Sequence, residues 1–153
     1  MLAAIRPDEQ SFALLLHLVG ATVVFGALLA SATSLLLSRG EVRLLRLGYF
    51  SLLLVGLPGW ILMRLAGQWL YDQQHWSDLP PSLDDPAWLK IGFIVADWGG
   101  IVFLISLVVG WIGVRRLHNG TGSATLLRVT MVISLILALA YVAAVWAMTG
   151  KPN

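Results

Sequence analysis

Asp97 is the residue the rest of this chain has to accommodate. It stands inside the run from Trp88 to Arg116, WLKIGFIVADWGGIVFLISLVVGWIGVRR, with no other charge near it in the middle of that stretch. An ionised side chain in hydrocarbon costs at least roughly 2.5–3.5 kcal/mol on insertion scales, so an intramembrane carboxylate implies a partner and points to a function. The sequence offers one opposite charge inside an apolar run, Arg64, whose planar guanidinium suits a carboxylate. His17 and Tyr141 lie inside two further apolar runs. Imidazole can ligate haem iron or a metal ion, or bind a quinone headgroup, while an arginine can meet an anionic substituent. Asp97 and His17 could also relay protons.

Four apolar segments have to position these groups. They cover residues of about 11–37, 47–71, 87–115 and 126–148, each long enough for the roughly 20 residues that a bilayer crossing requires. Gly56, Pro58 and Gly59 interrupt the second, where a proline removes a backbone hydrogen bond and favours a kink. Pro86 is placed to open the third at its first turn, with Asp84 or Asp85 as N-cap. The expected architecture is therefore all-α: a single-domain, four-helix transmembrane bundle with up-down topology.

The connections differ in charge. SRGEVRLLR carries Arg39, Arg43 and Arg46, and Arg115, Arg116 and Arg128 flank the third connection. DQQHWSDLPPSLDDP carries four aspartates and no lysine or arginine. The positive-inside rule then puts the two basic connections in the cytoplasm, with both termini and the acidic connection outside. Trp69, Tyr71, Trp76, Trp88 and Trp146 gather at the outer boundary. At about 1.5 Å per residue, Asp97 lies on the order of 14 Å inside it, Arg64 about 12 Å, Tyr141 about 10 Å and His17 about 9 Å. Each helix thus contributes one polar group to one slab. Helical spacing groups His17 with Gly20, Ala21, Val24, Ala27 and Ser31; Arg64 with Trp60, Gly67, Gln68 and Tyr71; and Asp97 with Lys90, Phe93, Gly100, Ile101 and Leu104.

Of the 153 residues, 58% are hydrophobic and 12% charged, against about 25% charged in soluble domains. Cysteine is absent, which excludes disulfides, thiolate metal sites and dithiol redox chemistry. The net charge is only +2 and the basic residues cluster at certain loops instead of forming a stripe, so nucleic-acid binding has no support. The start, MLAAIRPDEQ, lacks the basic region of a secretory signal, and the first helix is expected to be retained. Asn119-Gly120-Thr121 matches a glycosylation sequon on the cytoplasmic side and reads as chance. His75 and His118 fall in loops at opposite faces. Neither a nucleophile elbow, a phosphate-binding glycine loop nor a paired-histidine metal motif occurs, so no catalytic residue is assigned.

Three functional classes remain. A pocket in the outer half, built by His17, Arg64, Asp97 and Tyr141, could hold haem b, a quinone, a metal ion at His17 or another small ligand. The chain could instead be an accessory or assembly subunit of a larger membrane complex, its polar layer serving as structural glue. A proton-coupled carrier would require a homodimer, since four helices enclose little space.

Leu16-His17-Leu18-Val19-Gly20, the Pro58-Gly59 break followed by Trp60 to Tyr71, and Pro86-Ala87-Trp88-Leu89-Lys90 resemble the small bacterial membrane proteins related to the CopD copper-resistance domain and the uncharacterised integral membrane families beside it. The resemblance implies a bacterial inner-membrane four-helix bundle with a histidine near the outer end of the first helix. For HemJ-type relatives it also implies haem association, a role that only His17 can carry. Met1, Met63, Met131 and Met148 do not make the methionine cluster of a copper site.

Overall fold

A computed structural model describes residues 8–39, 41–73 and 87–150, which are helical except at two short connections. The elements are α1 (Asp8–Leu37), α2 (Val42–Ser51), a π-helical turn (Leu52–Gly56), α3 (Leu57–Gln73), α4 (Ala87–His118) and α5 (Thr125–Gly150). Among the described residues four helical stretches are long and apolar enough to span a membrane: Phe12–Leu37, Val42–Gln73, Ile94–His118 and Thr125–Ala147. The expected N-cap at Asp84 or Asp85, together with Pro86, His75, Trp76 and the side chains of Trp88, Lys90 and Phe93, lies outside the described residues.

Two local departures from the sequence reading have physical causes. The first basic connection is shorter than expected, because helix resumes at Val42. Its Leu45, Gly48 and Tyr49 are buried on one stripe while Arg43 faces out, so apolar burial overrides the local density of arginine. The chain turns through Arg39, at a positive φ of 39°, and the Glu41 amide donates to the Ser38 carbonyl at 2.5 Å. The break expected at Pro58 takes the form of a widened turn just ahead of it, with the Leu57 amide donating five residues back to Leu52. Proline has no N–H and its ring crowds the carbonyl four residues earlier. A π-turn absorbs that conflict without breaking the span.

Beside a cluster of large buried residues such as Tyr49, Leu52 and Met131, the helix contacts are rich in small ones. Alanines such as Ala13, Ala21, Ala27, Ala66, Ala138 and Ala147 are buried, whereas Leu54, Leu65, Ile94, Trp98, Leu139 and Trp146 are exposed. Soluble monomers rarely show so continuous an apolar exterior. Small residues at the helix contacts and large ones outside are what helix packing in lipid requires, where close backbone approach replaces hydrophobic burial.

The α1–α3 contact shows this most sharply. A Cβ on Gly20 would fall 2.5 Å from the Met63 backbone nitrogen and 2.9 Å from the Gly59 carbonyl oxygen, and one on Gly59 would meet Val23 at 2.7 Å. Toward the basic end the same antiparallel register continues with Gly56 against Ala27 and Gly48 against Ser34. α4 and α5 form a second close pair, with Gly113 against Leu126 and Leu127. At the basic end the pairs are tied by Ser31 of α1, which donates to Ser134 of α5 at 3.2 Å; within the second pair Ser134 donates to the Thr130 carbonyl at 2.9 Å and Thr130 to the Ser106 carbonyl at 3.3 Å, and all four hydroxyl residues are fully buried. The Tyr49 ring, 1% exposed, packs on Gly110 beneath them.

Toward the opposite end the pairs diverge. There α3 and α4 meet through side chains, the Trp60 indole against Gly100 and Phe103 and one ion pair, with almost no backbone approach among the described residues.

Replacing Gly20 by alanine is expected to destabilise the protein by about 1–3 kcal/mol, since the added methyl would meet the α3 backbone at both Met63 and Gly59. Gly26→Ala, where nothing lies within 4 Å of the new carbon, should leave the melting temperature in detergent unchanged or slightly raised. Equal melting temperatures for the two variants would refute the close contact.

Candidate functional site

The divergence leaves a cavity of about 430 Å³ between all four spans, in the half of the bundle away from the basic end. Its α4 wall is built mainly of small residues, with Val95 beside them. Gly92, Ala96, Gly99 and Gly100 face it, and below them Phe103 and Trp60 form the floor. Small residues on such a face ordinarily bring two helices into contact; here they open room instead.

His17, Arg64 and Tyr141 line this space. His17 Nδ1 lies 2.9 Å from the Met63 carbonyl oxygen. A carbonyl can only accept, so Nδ1 carries the proton and donates, and in the neutral ring Nε2 is left as an acceptor. Gly67 makes the approach possible, since a Cβ there would sit 3.0 Å from Nδ1. Nε2 has no partner among the described residues and is not sealed by protein, on a residue that lines the cavity. The Tyr141 ring stacks on Phe25 with centroids 5.4 Å apart, and its hydroxyl is likewise without a partner among the described residues. Gln68, also on the wall, donates from Nε2 to Asp72 at 2.9 Å.

Arg64 Nη2 lies 2.5 Å from Asp97 Oδ1. The two charges meet at matching positions on antiparallel spans. Asp97, however, does not line the cavity: its side chain is 47% exposed and that of Arg64 41%, at the outer edge of the α3–α4 seam. The expectation that Asp97 turns inward with Ile101 and Leu104 is corrected accordingly, for those residues are 49% and 39% exposed. Polarity is the wrong guide to the rotation of α4. Its glycines and alanine take the interior, and the carboxylate stays at the seam because Arg64 can reach it there.

On the other helices the inward stripes coincide with what helical spacing groups together. Gly20, Ala21, Val24, Ala27 and Ser31 are buried below His17, and Trp60, Gly67, Gln68 and Tyr71 line the cavity beside Arg64. Sequence reasoning missed the buried hydroxyls of Ser106, Thr130 and Ser134, which are legible as hydroxyl residues at helical spacing in the third and fourth spans. It also missed the Trp60 Nε1, buried without an acceptor among the described residues.

Two cofactors can be tested against this donor set. For haem, Nε2 of His17 is a suitable axial nitrogen, oriented from behind by the Met63 carbonyl. The two propionates, however, would meet a single guanidinium whose charge Asp97 already balances, so the residues present do not fit the group. For a metal ion, no three histidine or carboxylate side chains converge among the described residues, and Met131 is buried in the core away from the cavity-lining Met63. No family model, curated protein or solved structure matches this chain.

Removing Arg64 alone strands a carboxylate at membrane depth, at a cost on the order of 2.5–3.5 kcal/mol. Replacing both charges by leucine strands nothing. Arg64→Ala should therefore lower the melting temperature in detergent more than Arg64→Leu combined with Asp97→Leu. The reverse order would show that the two groups do not stabilise one another.

Proposed function

We propose that this chain is a small bacterial inner-membrane protein whose cavity binds an amphiphilic molecule drawn from the membrane, with His17 and Tyr141 as the groups that select it. The basic connections lie in the cytoplasm and the cavity in the outer half, following the positive-inside rule. The observation that carries the reading is the cavity itself. It is about 430 Å³ in volume, bordered by all four spans and open at its side, so a molecule in the membrane can enter it without the bundle unpacking.

Its chemistry narrows the occupant. The walls are mainly apolar, contributed by residues such as Leu14, Leu28, Val95 and Leu137. A bare acyl chain would leave the His17 Nε2 and the Tyr141 hydroxyl unsatisfied, and an unsatisfied polar group in hydrocarbon is costly. The occupant therefore carries a hydrogen-bond donor for Nε2, such as a hydroxyl, and an acceptor for the Tyr141 hydroxyl, on an otherwise apolar frame. A reduced quinone headgroup has this chemistry. Kinship with the CopD-related bundles is part of the same proposal and rests on the short motifs around His17, Pro58 and Pro86. The chain works as a binding protein, without catalytic residues of its own.

Protein extracted from its native membrane into lipid nanodiscs should retain a small amphiphile at near-stoichiometric level by mass spectrometry of the organic extract. Ala96→Phe, which fills the cavity, should abolish retention. His17→Ala, which removes one hydrogen bond, should weaken it about tenfold. Retention unchanged in Ala96→Phe would defeat the reading. A Soret band lost in His17→Ala would replace it with haem.

A further inference from the structure

The Arg64–Asp97 pair presents a problem that one copy of the chain does not solve. It lies about 12 Å inside the outer boundary at helical rise, yet both side chains are more than two-fifths exposed, Asp97 off the cavity wall at the bundle's perimeter and Arg64 between it and the cavity. Acyl chains offer no hydrogen-bonding groups. Arg64 cannot snorkel to the interface without abandoning Asp97, and an aspartate side chain is too short to reach it. A guanidinium has five N–H donors and a carboxylate about four acceptor sites, so one mutual contact leaves most of both unused.

We infer that this seam is a two-fold interface with a second copy of the same chain, centred on Arg64 and Asp97. The geometry is self-complementary. Arg64 on α3 and Asp97 on α4 stand side by side at one level on antiparallel spans. Two copies inserted the same way in a membrane are related by an axis parallel to the bundle, and such a rotation preserves depth. It sets each copy's α3 opposite the other's α4, so every Arg64 faces an Asp97 across the interface as well as beside it. Four charges of alternating sign then form one square, and each group gains a second partner without any new residue. An isologous patch of this kind closes as a dimer instead of growing into a filament.

The surroundings suit the same docking. Ile61 and Leu65 on α3 and Ile94 and Ile101 on α4 are exposed around the pair and would supply an apolar rim. By the antiparallel registers that place Trp60 against Gly100 and Arg64 against Asp97, Ile61 of one copy falls within about 3 Å of the level of Ile101 of the other. The inference is independent of what the cavity holds.

The absence of native cysteine allows a direct test. Two differently tagged chains, one Ile61→Cys and the other Ile101→Cys, are reconstituted together in phosphatidylethanolamine–phosphatidylglycerol vesicles and oxidised. A mixed-tag disulfide is expected, well above that of a pair labelled at Ile136→Cys on α5, an exposed position on a different helix. On an Arg64→Leu, Asp97→Leu background the dimer dissociation constant should rise about tenfold, the loss expected of two interhelical polar contacts. The exchanged variant, Arg64→Asp with Asp97→Arg, preserves the alternating square and should retain crosslinking; it keeps the test decisive should the leucine variant fail to fold. Crosslinking no greater than at Ile136, or equally strong with both charges gone, would overturn the inference.

Discussion

The close approach of α1 and α3 at Gly20, Gly59 and Met63 governs the rest of the structure. Backbones held this near leave no room for adjustment along the seam, so α3 is committed to α1 through its length. α4 is committed in the same way to α5. Toward the basic end the two pairs are joined by Ser31, which donates to Ser134, and by the buried Tyr49 ring packed on Gly110. Interhelical hydrogen bonds in membranes are worth only about 0.6 kcal/mol on average, so packing carries more of that junction than the hydroxyl does. The cavity, the reach of Arg64 across the gap and the His17 hydrogen bond to Met63 are consequences of that arrangement.

The ion pair takes its meaning from the same geometry. In a bundle packed evenly on all sides, Arg64 and Asp97 would sit between helices and serve as a buried register lock, a role in which such pairs contribute specificity more than stability. Here α3 and α4 touch little else in this half, and the pair is stretched across the opening with its outer side uncovered. Proton relay by Asp97 fits poorly with that position, because the carboxylate is engaged by a guanidinium and stands off the cavity wall.

How much of this could be read from the sequence follows from which physical signal each feature leaves. The spans and the Arg64–Asp97 meeting were legible because hydropathy sets depth, and depth on antiparallel neighbours sets which residues are level. The inward faces of α1 and α3 were legible because small and polar residues coincide on one stripe there. On α4 they part company: Gly92, Ala96, Gly99 and Gly100 mark one face and Asp97 another. Reading by charge picks the wrong face. The cavity left no local trace, since the same glycine and alanine spacing serves a tight helix contact as readily as an open wall; only the commitment of α3 to α1 decides between them.

Arg64 belongs to both proposed sites, and that has a thermodynamic consequence. From inside the bundle it lines the cavity; from outside it completes the seam with Asp97. An occupant that drew the guanidinium inward would take donors from the alternating charges between copies, and one that left it in place would not. Occupancy and dimerisation then share one side chain, and by linkage whatever the occupant does to copy–copy affinity, the second copy does equally to occupant affinity. The sign of that coupling is set by the occupant's polar end. A group satisfied by His17 and Tyr141 alone leaves Arg64 to the seam and lets both equilibria proceed together, whereas an anionic group would oppose them.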